Sequence, residues 1–299
     1  MNLRRVRLIT QYSFPAFLRN GSGISYVFVT FILGILVTEP ILTFYESGFA
    51  QIDDILELLE TSLSFMLAAA SLRGSLGELG DLQQQGALQE YGEWAIYLIQ
   101  SHPALLSAVF AIELIAVPLF IASGAFNQMS GDLQHGAVRY QLLRVSRLEL
   151  YLGRFFGMAI FTWLLVSFVL TAVVIYVGLR LDLYGWSELL SWGARGVLAF
   201  GLLSLPYVAL CSLVSSNVSS PFGSLVLSSA LVVVIPTIAL SAMSAWKPLG
   251  KLIYLLPWGV QHRLFHPESD QVALAALACL GYTAVYLAIG YFFFRKRDL

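Results

Sequence analysis

The sequence predicts an all-α integral membrane protein. It has six transmembrane helices, N- and C-termini on the cytoplasmic side, an N-terminal amphipathic interfacial helix and an outer helical hairpin. Three observations carry this reading. Six runs are mostly apolar and about 20 residues long, enough to cross a hydrocarbon core. The basic residues are segregated, with eleven of the seventeen in segments that fall on one side. Five of the six tryptophans flank the expected helix ends on the other side, as an interfacial belt does; only Trp163 sits in mid-span. Composition agrees: 58% of the chain is hydrophobic and 12% charged, against about 25% charged for soluble domains. Mean hydropathy is +0.77.

The elements follow in order. Residues 1–23 contain RRVRLITQYSFPAFLRNGSG, basic like the start of a signal peptide. The apolar run begins too late for one, and no small-residue cleavage site follows, so an uncleaved first span is expected at 24–45. Residues 46–104 form an extracytoplasmic segment carrying nine of the eighteen acids. Its first stretch places Ile52, Ile55, Leu58, Leu59, Leu63, Phe65 and Met66 at helical spacing. GELGDLQQQGALQEYGEWAIYLIQ then reads as a turn and a second amphipathic helix. Such a hairpin either lies on the outer leaflet or binds an extracytoplasmic partner.

Span two is 105–126, and a cytoplasmic loop follows at 127–153. Spans three to five are 154–178, 193–214 and 223–245. The outer piece 246–271 is apolar in its first half and is expected to dip into the membrane as a re-entrant element. Non-helical backbone is tolerated there only when packed on protein or facing a cavity. Span six, 272–294, closes on the cytoplasmic tail 295–299. The tight inner turn SSNVSSPFGS at 215–224 offers Asn217 and Ser219 as caps for span five. Gly153 and Gly157 form a GxxxG at the inner start of span three, a pattern that permits close helix packing.

Absences narrow the function. The chain has no GxxxxGK[ST] phosphate loop and no HExxH, GxSxG or CxxC. Cys211 and Cys279 each lie inside an apolar run, which argues against a disulfide framework or a zinc site. The net charge of −1 is sorted by side and gives no reason to expect a nucleic-acid partner. His262 and His266 are spaced i, i+4, with His102 on the same expected side. They are weak metal candidates, because no third ligand is fixed by spacing, and interfacial polar residues are the plainer reading.

Buried acids are costly in a membrane and often functional. Glu39 precedes Pro40 near the outer end of span one and reads as interfacial. Glu113 lies deep in span two, five residues before Pro118. It is the candidate for a substrate path, with a carboxyl bonded between helices as the alternative. Pro118, Pro206 and Pro236 mark kinks or packed irregularities within spans.

The loop carries the most information. Residues 127–157, NQMSGDLQHGAVRYQLLRVSRLELYLGRFFG, hold four arginines and no lysine between two membrane runs. Val138, Leu142 and Leu143 can form an apolar ridge. Arg139, Arg144 and Arg147 can reach acidic or carbonyl groups on a partner.

This loop resembles that of ABC-transporter permeases of the type-2 exporter class. That class shows an acidic residue, a Gly-Thr-Leu-like step, a Leu-Leu pair, a Pro-hydrophobic-Ser-Arg step and a Leu-Gly-Lys step into the next helix. Here these are Asp132, Gly136-Ala137-Val138, Leu142-Leu143, Arg144-Val145-Ser146-Arg147 and Leu152-Gly153-Arg154. The departures are Ala for Thr, Arg144 for Pro and Arg154 for Lys. The ending YFFFRKRDL and the N-terminal amphipathic helix are similar to the class too.

The resemblance implies a permease subunit of an exporter, paired as a homodimer or with a second permease in the plasma (inner) membrane of a prokaryote. A separate cytosolic ABC ATPase would bind ATP and magnesium, and this chain would hold no cofactor. The coupling helix would be centred on Gly136–Arg147. The enlarged outer segment is similar to the nitrous-oxide-reductase maturation permease, a subgroup that works with a periplasmic protein. The rivals are a secondary transporter and a non-transporting membrane scaffold. A secondary transporter favours inverted repeats and several midplane ionisable groups, whereas the chain shows no clear repeat and one deep acid. A membrane enzyme would need clustered catalytic side chains, and none assemble from the sequence.

Overall fold

The computed structural model describes residues 3–19, 21–46, 97–98, 103–180, 184–243 and 254–298. Most of the expected outer hairpin lies outside these residues, with Arg73, Trp94 and His102. Trp246, Lys247 and Lys251 lie outside them as well. No strand occurs among the described residues. Nine α-helices do: α1 (Leu3–Arg19), α2 (Gly21–Glu46), α3 (Ala104–Ala125), α4 (Ser130–Gln134), α5 (Ala137–Leu142), α6 (Arg147–Arg180), α7 (Trp186–Asn217), α8 (Pro221–Met243) and α9 (Ser269–Lys296). Two 3-10 turns, Pro257–Gly259 and Gln261–Phe265, precede α9.

Five helices are long and apolar enough to cross a membrane, by length and composition: those of α3, α6, α7, α8 and α9. That marks a multi-pass membrane protein. The helix α2 covers the first expected span with 26 residues. The helices α6, α7 and α9 outrun the apolar runs they contain, because polar ends continue the hydrogen-bonded spiral beyond the apolar stretch. Thus α6 has 34 residues and α7 has 32, about 50 Å of helix against a core of about 30 Å. Pro40, Pro118, Pro206 and Pro236 all lie inside their helices without ending them.

The helix α7 is the hub, packed on α3, α6, α8 and α9. In α3 and α7, 72% of the apolar window is buried, but only 22% in α8 and 17% in α9. The first pair is therefore central and the second peripheral. Close approach to α7 is made by small residues: Gly196 faces the Phe110 ring of α3, and Gly193 and Gly201 face Val174 and Trp163 of α6.

The chain runs upward beside α6 in two stages. Arg5 lies by Glu149, Val6 and Ile9 by Gly153, and Thr10 and Ser13 by Gly157. Phe14 and Phe17 then meet Phe161. The register is four for four, so α1 climbs alongside α6 in the same sense. The helix α2 resumes at Tyr26, also beside Phe161. Further along α2, Glu39 accepts hydrogen bonds from Tyr176 and Arg180. Glu39, read as interfacial from sequence, is thus a polar clip between α2 and the end of α6.

Residues 254–266 return through the bundle. The hydroxyls of Tyr282 and Tyr286 donate to the carbonyls of Tyr254 and Leu255. Tyr286 lies 17 residues past Ser269, about 25 Å along α9. The segment then rises past the buried Phe265, which packs on Phe110, Trp192 and Phe200. Arg195 donates to the His266 carbonyl at 2.6 Å.

Candidate functional site

The loop between α3 and α6 is built on three internal supports. Its first support is polar. Arg154 of α6 donates to Asp132, to the Gln128 carbonyl at 2.9 Å and to Gln141 Oε1 at 3.2 Å. Gln141 Nε2 also donates to Asp132 at 3.1 Å. This triangle fastens α4 and α5 to α6. The buried Gln128 and Ser130 continue the fastening into α7. Ser212 donates to Gln128 at 2.6 Å, and Ser215 Oγ accepts from the backbone N–H groups of Met129 and Ser130. Gly136 joins α4 to α5 at φ 69°, a left-handed conformation that suits glycine.

The second support is apolar. Val138, 1% exposed, packs with Met129, Leu150, Tyr151 and Phe294. The expected ridge of Val138, Leu142 and Leu143 is therefore divided. Val138 and the half-buried Leu142, spaced i, i+4, turn inward. Leu143 is 84% exposed and Tyr140 is 75% exposed. Arg139 and Arg144 are exposed beside them. The outward face of the loop is Arg139, Tyr140, Leu143 and Arg144, and neither arginine makes an ion pair among the described residues.

The third support joins the loop to the end of α9. Arg147 Nη1 donates to the carbonyls of Phe294, Arg295 and Arg297 at 3.1, 2.6 and 2.8 Å. The Phe294 carbonyl also accepts from the Arg297 N–H, and all three carbonyls lie at the C-terminal end of α9, where the helical ladder runs out of donors. Arg297 in turn donates to the Ser216 carbonyl and to Ser219 Oγ. Arg147 thus grips the tail, unlike Arg144.

At the start of α6, Ser146 Oγ accepts from the Glu149 N–H at 3.3 Å, and Glu149 Oε2 accepts from the Ser146 N–H at 3.0 Å. This reciprocal pair is a capping box. Glu149 is buried and lies 3.9 Å from Arg5 of α1. Glu149 is absent from the residues expected from sequence, although Ser-x-x-Glu at 146–149 signals the cap. Tyr140 and Gln141 are absent as well, because their roles depend on which side of a six-residue helix meets the bundle. Replacing Ser146 by alanine is expected to cost about 1 kcal/mol, read as a lower melting temperature. An unchanged melt would deny the cap its role.

Other expected residues are placed as follows. Ser220, not Asn217 or Ser219, caps α8: its Oγ accepts from the Gly223 N–H, with Pro221 as first helical residue. Asn217 donates back to the Leu213 carbonyl, and Ser219 is taken by Arg297. Glu113 is buried and lines a pocket of about 20 Å³ with Thr30, Gly34, Val117, Phe120, Val166, Val169 and Leu170. That is room for about one water, at the meeting of α2, α3 and α6. His262 is buried in a 3-10 turn, and His266 Nδ1 accepts from the Glu268 N–H. A 3-10 spiral has three residues per turn, so the i, i+4 spacing no longer aligns the two rings. No group of three potential metal ligands occurs among the described residues.

Compared with protein-family models and with curated proteins, the sequence matches neither a family model nor a curated protein.

Proposed function

We propose that this chain is the transmembrane permease subunit of an ATP-driven ABC transporter, coupled to a separate ATPase through the loop between α3 and α6. The observation that supports this is the division of that loop. One side is fastened by Val138, the Asp132–Gln141–Arg154 triangle and Arg147. The other side presents Arg139, Tyr140, Leu143 and Arg144 outward. Aromatic and arginine side chains grouped on a rigid base are what interface anchors look like. A loop clamped to α6, α7 and α9 passes a push at its surface into three helices. With no phosphate loop in the chain, ATP and magnesium belong to the partner.

In this reading α2 is the first of six spans and both termini are cytoplasmic. Two such subunits, or this one and a second permease, form the unit in the inner membrane of a prokaryote. The segment 46–104 faces outward, where it lies on the bilayer or holds an extracytoplasmic protein. Residues 254–266 are the re-entrant element, its exposed carbonyls satisfied by Tyr282 and Tyr286. Glu113 marks the candidate path.

The test is purification of the tagged full chain from its native membrane. A phosphate-loop ATPase is expected to accompany it at comparable abundance, with ATP turnover in the complex. Recovery of the intact chain without such a protein, under conditions that preserve membrane complexes, would overturn the reading.

A further inference from the structure

We infer that the arginine face of α1 binds the anionic headgroups of membrane lipids on the loop side of the protein. This rests on the reading of the chain as a membrane protein and needs no ATPase partner. The register beside α6 sets the depth of each residue. Arg4, Arg5 and Arg7 stand level with the first turns of α6, near Glu149 and Gly153. All three are exposed. One to two turns further along, Leu8 and Tyr12 are exposed, next in depth to the exposed Phe156 and Ile160 of α6. A cationic tier therefore sits under an apolar tier that continues onto the apolar flank of a spanning helix. A lipid has the same vertical order, phosphate beneath acyl chain, and basic amphipathic helices bind anionic surfaces in this manner.

The end of α9 repeats the tier. Arg295 and Lys296 are exposed at the end of α9, and Lys296 lies 4.2 Å from the centre of the Phe292 ring. Arg147 ties that end of α9 to the same turn of α6. Among the described residues, few acids offset these charges. Asp132 is held by Arg154, Glu149 is buried beside Arg5, and Asp298 is exposed in the tail. The face is fixed in place rather than hinged. Thr10 Oγ1 donates to the Gly153 carbonyl at 3.3 Å, and the buried Val6, Ser13 and Phe17 line the seam.

The experiment uses the full chain, reconstituted with equal phosphatidylglycerol and phosphatidylcholine, then extracted and weighed with its retained lipids. The wild type is expected to retain phosphatidylglycerol in preference by about tenfold, in line with the attraction of a few basic residues to an anionic surface. Arg4→Gln with Arg7→Gln is expected to remove most of this preference. Arg5 is left in place to keep its approach to Glu149. Arg4→Lys with Arg7→Lys should keep the preference. Equal retention of the two lipids by the wild type would overturn the inference. So would a preference undiminished in the glutamine variant, or lost in the lysine variant. Displacement of phosphatidylglycerol by millimolar inorganic phosphate would also overturn it, showing a free-anion site in place of a lipid surface. Copurification of the ATPase is scored separately, so the two readings fail independently.

Discussion

Replacing Gly153 by leucine is expected to prise α1 from α6. A Cβ at this position already meets Ile9 Cβ and Cγ2 at 2.6 Å, and lies 3.3 Å from the Val6 carbonyl oxygen. The side chain of Ile9 has little room to turn away, and backbone has less. One turn on, Gly157 is equally close to Ser13 and to the Thr10 carbonyl. A larger side chain would also separate Thr10 Oγ1 from the Gly153 carbonyl, a bond of 3.3 Å. Overpacking costs about 1–3 kcal/mol, and this site belongs at the upper end because both walls are helix. Gly153→Leu should lower the melting temperature and speed tryptic cleavage at Arg4, Arg5 and Arg7. Gly281→Ala is the control: nothing lies within 4 Å of its added Cβ, so exchange there should leave the melt unchanged or slightly raised. Equal melting and equal cleavage for Gly153→Leu and the wild type would refute the seam.

The second large effect separates two arginines that sequence alone treats as one class. Arg144→Glu is expected to release the ATPase with the fold intact. Arg144 is exposed beside Leu143 and Tyr140, and reversal of an interface anchor costs about 2 kcal/mol or more, roughly thirtyfold in affinity. Arg147→Glu is expected to act from inside. It removes donors from three carbonyls at the end of α9 and places a carboxylate among them. Charge-assisted hydrogen bonds contribute about 1.5–3 kcal/mol, and partial exposure puts Arg147 near the lower figure. The measurement pairs thermal melting with ATPase copurification. Arg144→Glu should lose the partner at wild-type melting temperature, whereas Arg147→Glu should lose stability first. Retention of the partner and of ATP turnover by Arg144→Glu would count against the contact face. A wild-type melt for Arg147→Glu would count against the tail grip.

The spans were legible because hydropathy is additive along a chain: an apolar run stays apolar whatever it packs on. The loop's position between two runs was legible for the same reason, as was the crowding of arginines within it. Gly153 and Gly157 announced a close approach, though not which helix would make it. The partner is α1, about 145 residues earlier, and only the three-dimensional register of Arg5 to Glu149 and Phe17 to Phe161 decides that.

Local spacing likewise told that Val138 and Leu142 share a face of α5, while tertiary packing decided that this face points inward. The inward turn follows from the pocket that Met129, Tyr151 and Phe294 make together, three residues from three parts of the chain. Arg147 could have served a partner or its own chain equally well on composition. What settles it is the arrival of the last helix at the first turn of α6, where the carbonyls that close α9 take the guanidinium as a donor. The sequence by itself determined a membrane chain with a basic loop between two spans. Tertiary structure decided which of the loop's side chains remain on the outside, because burial is a property of neighbours and neighbours here are set by helices far apart in sequence.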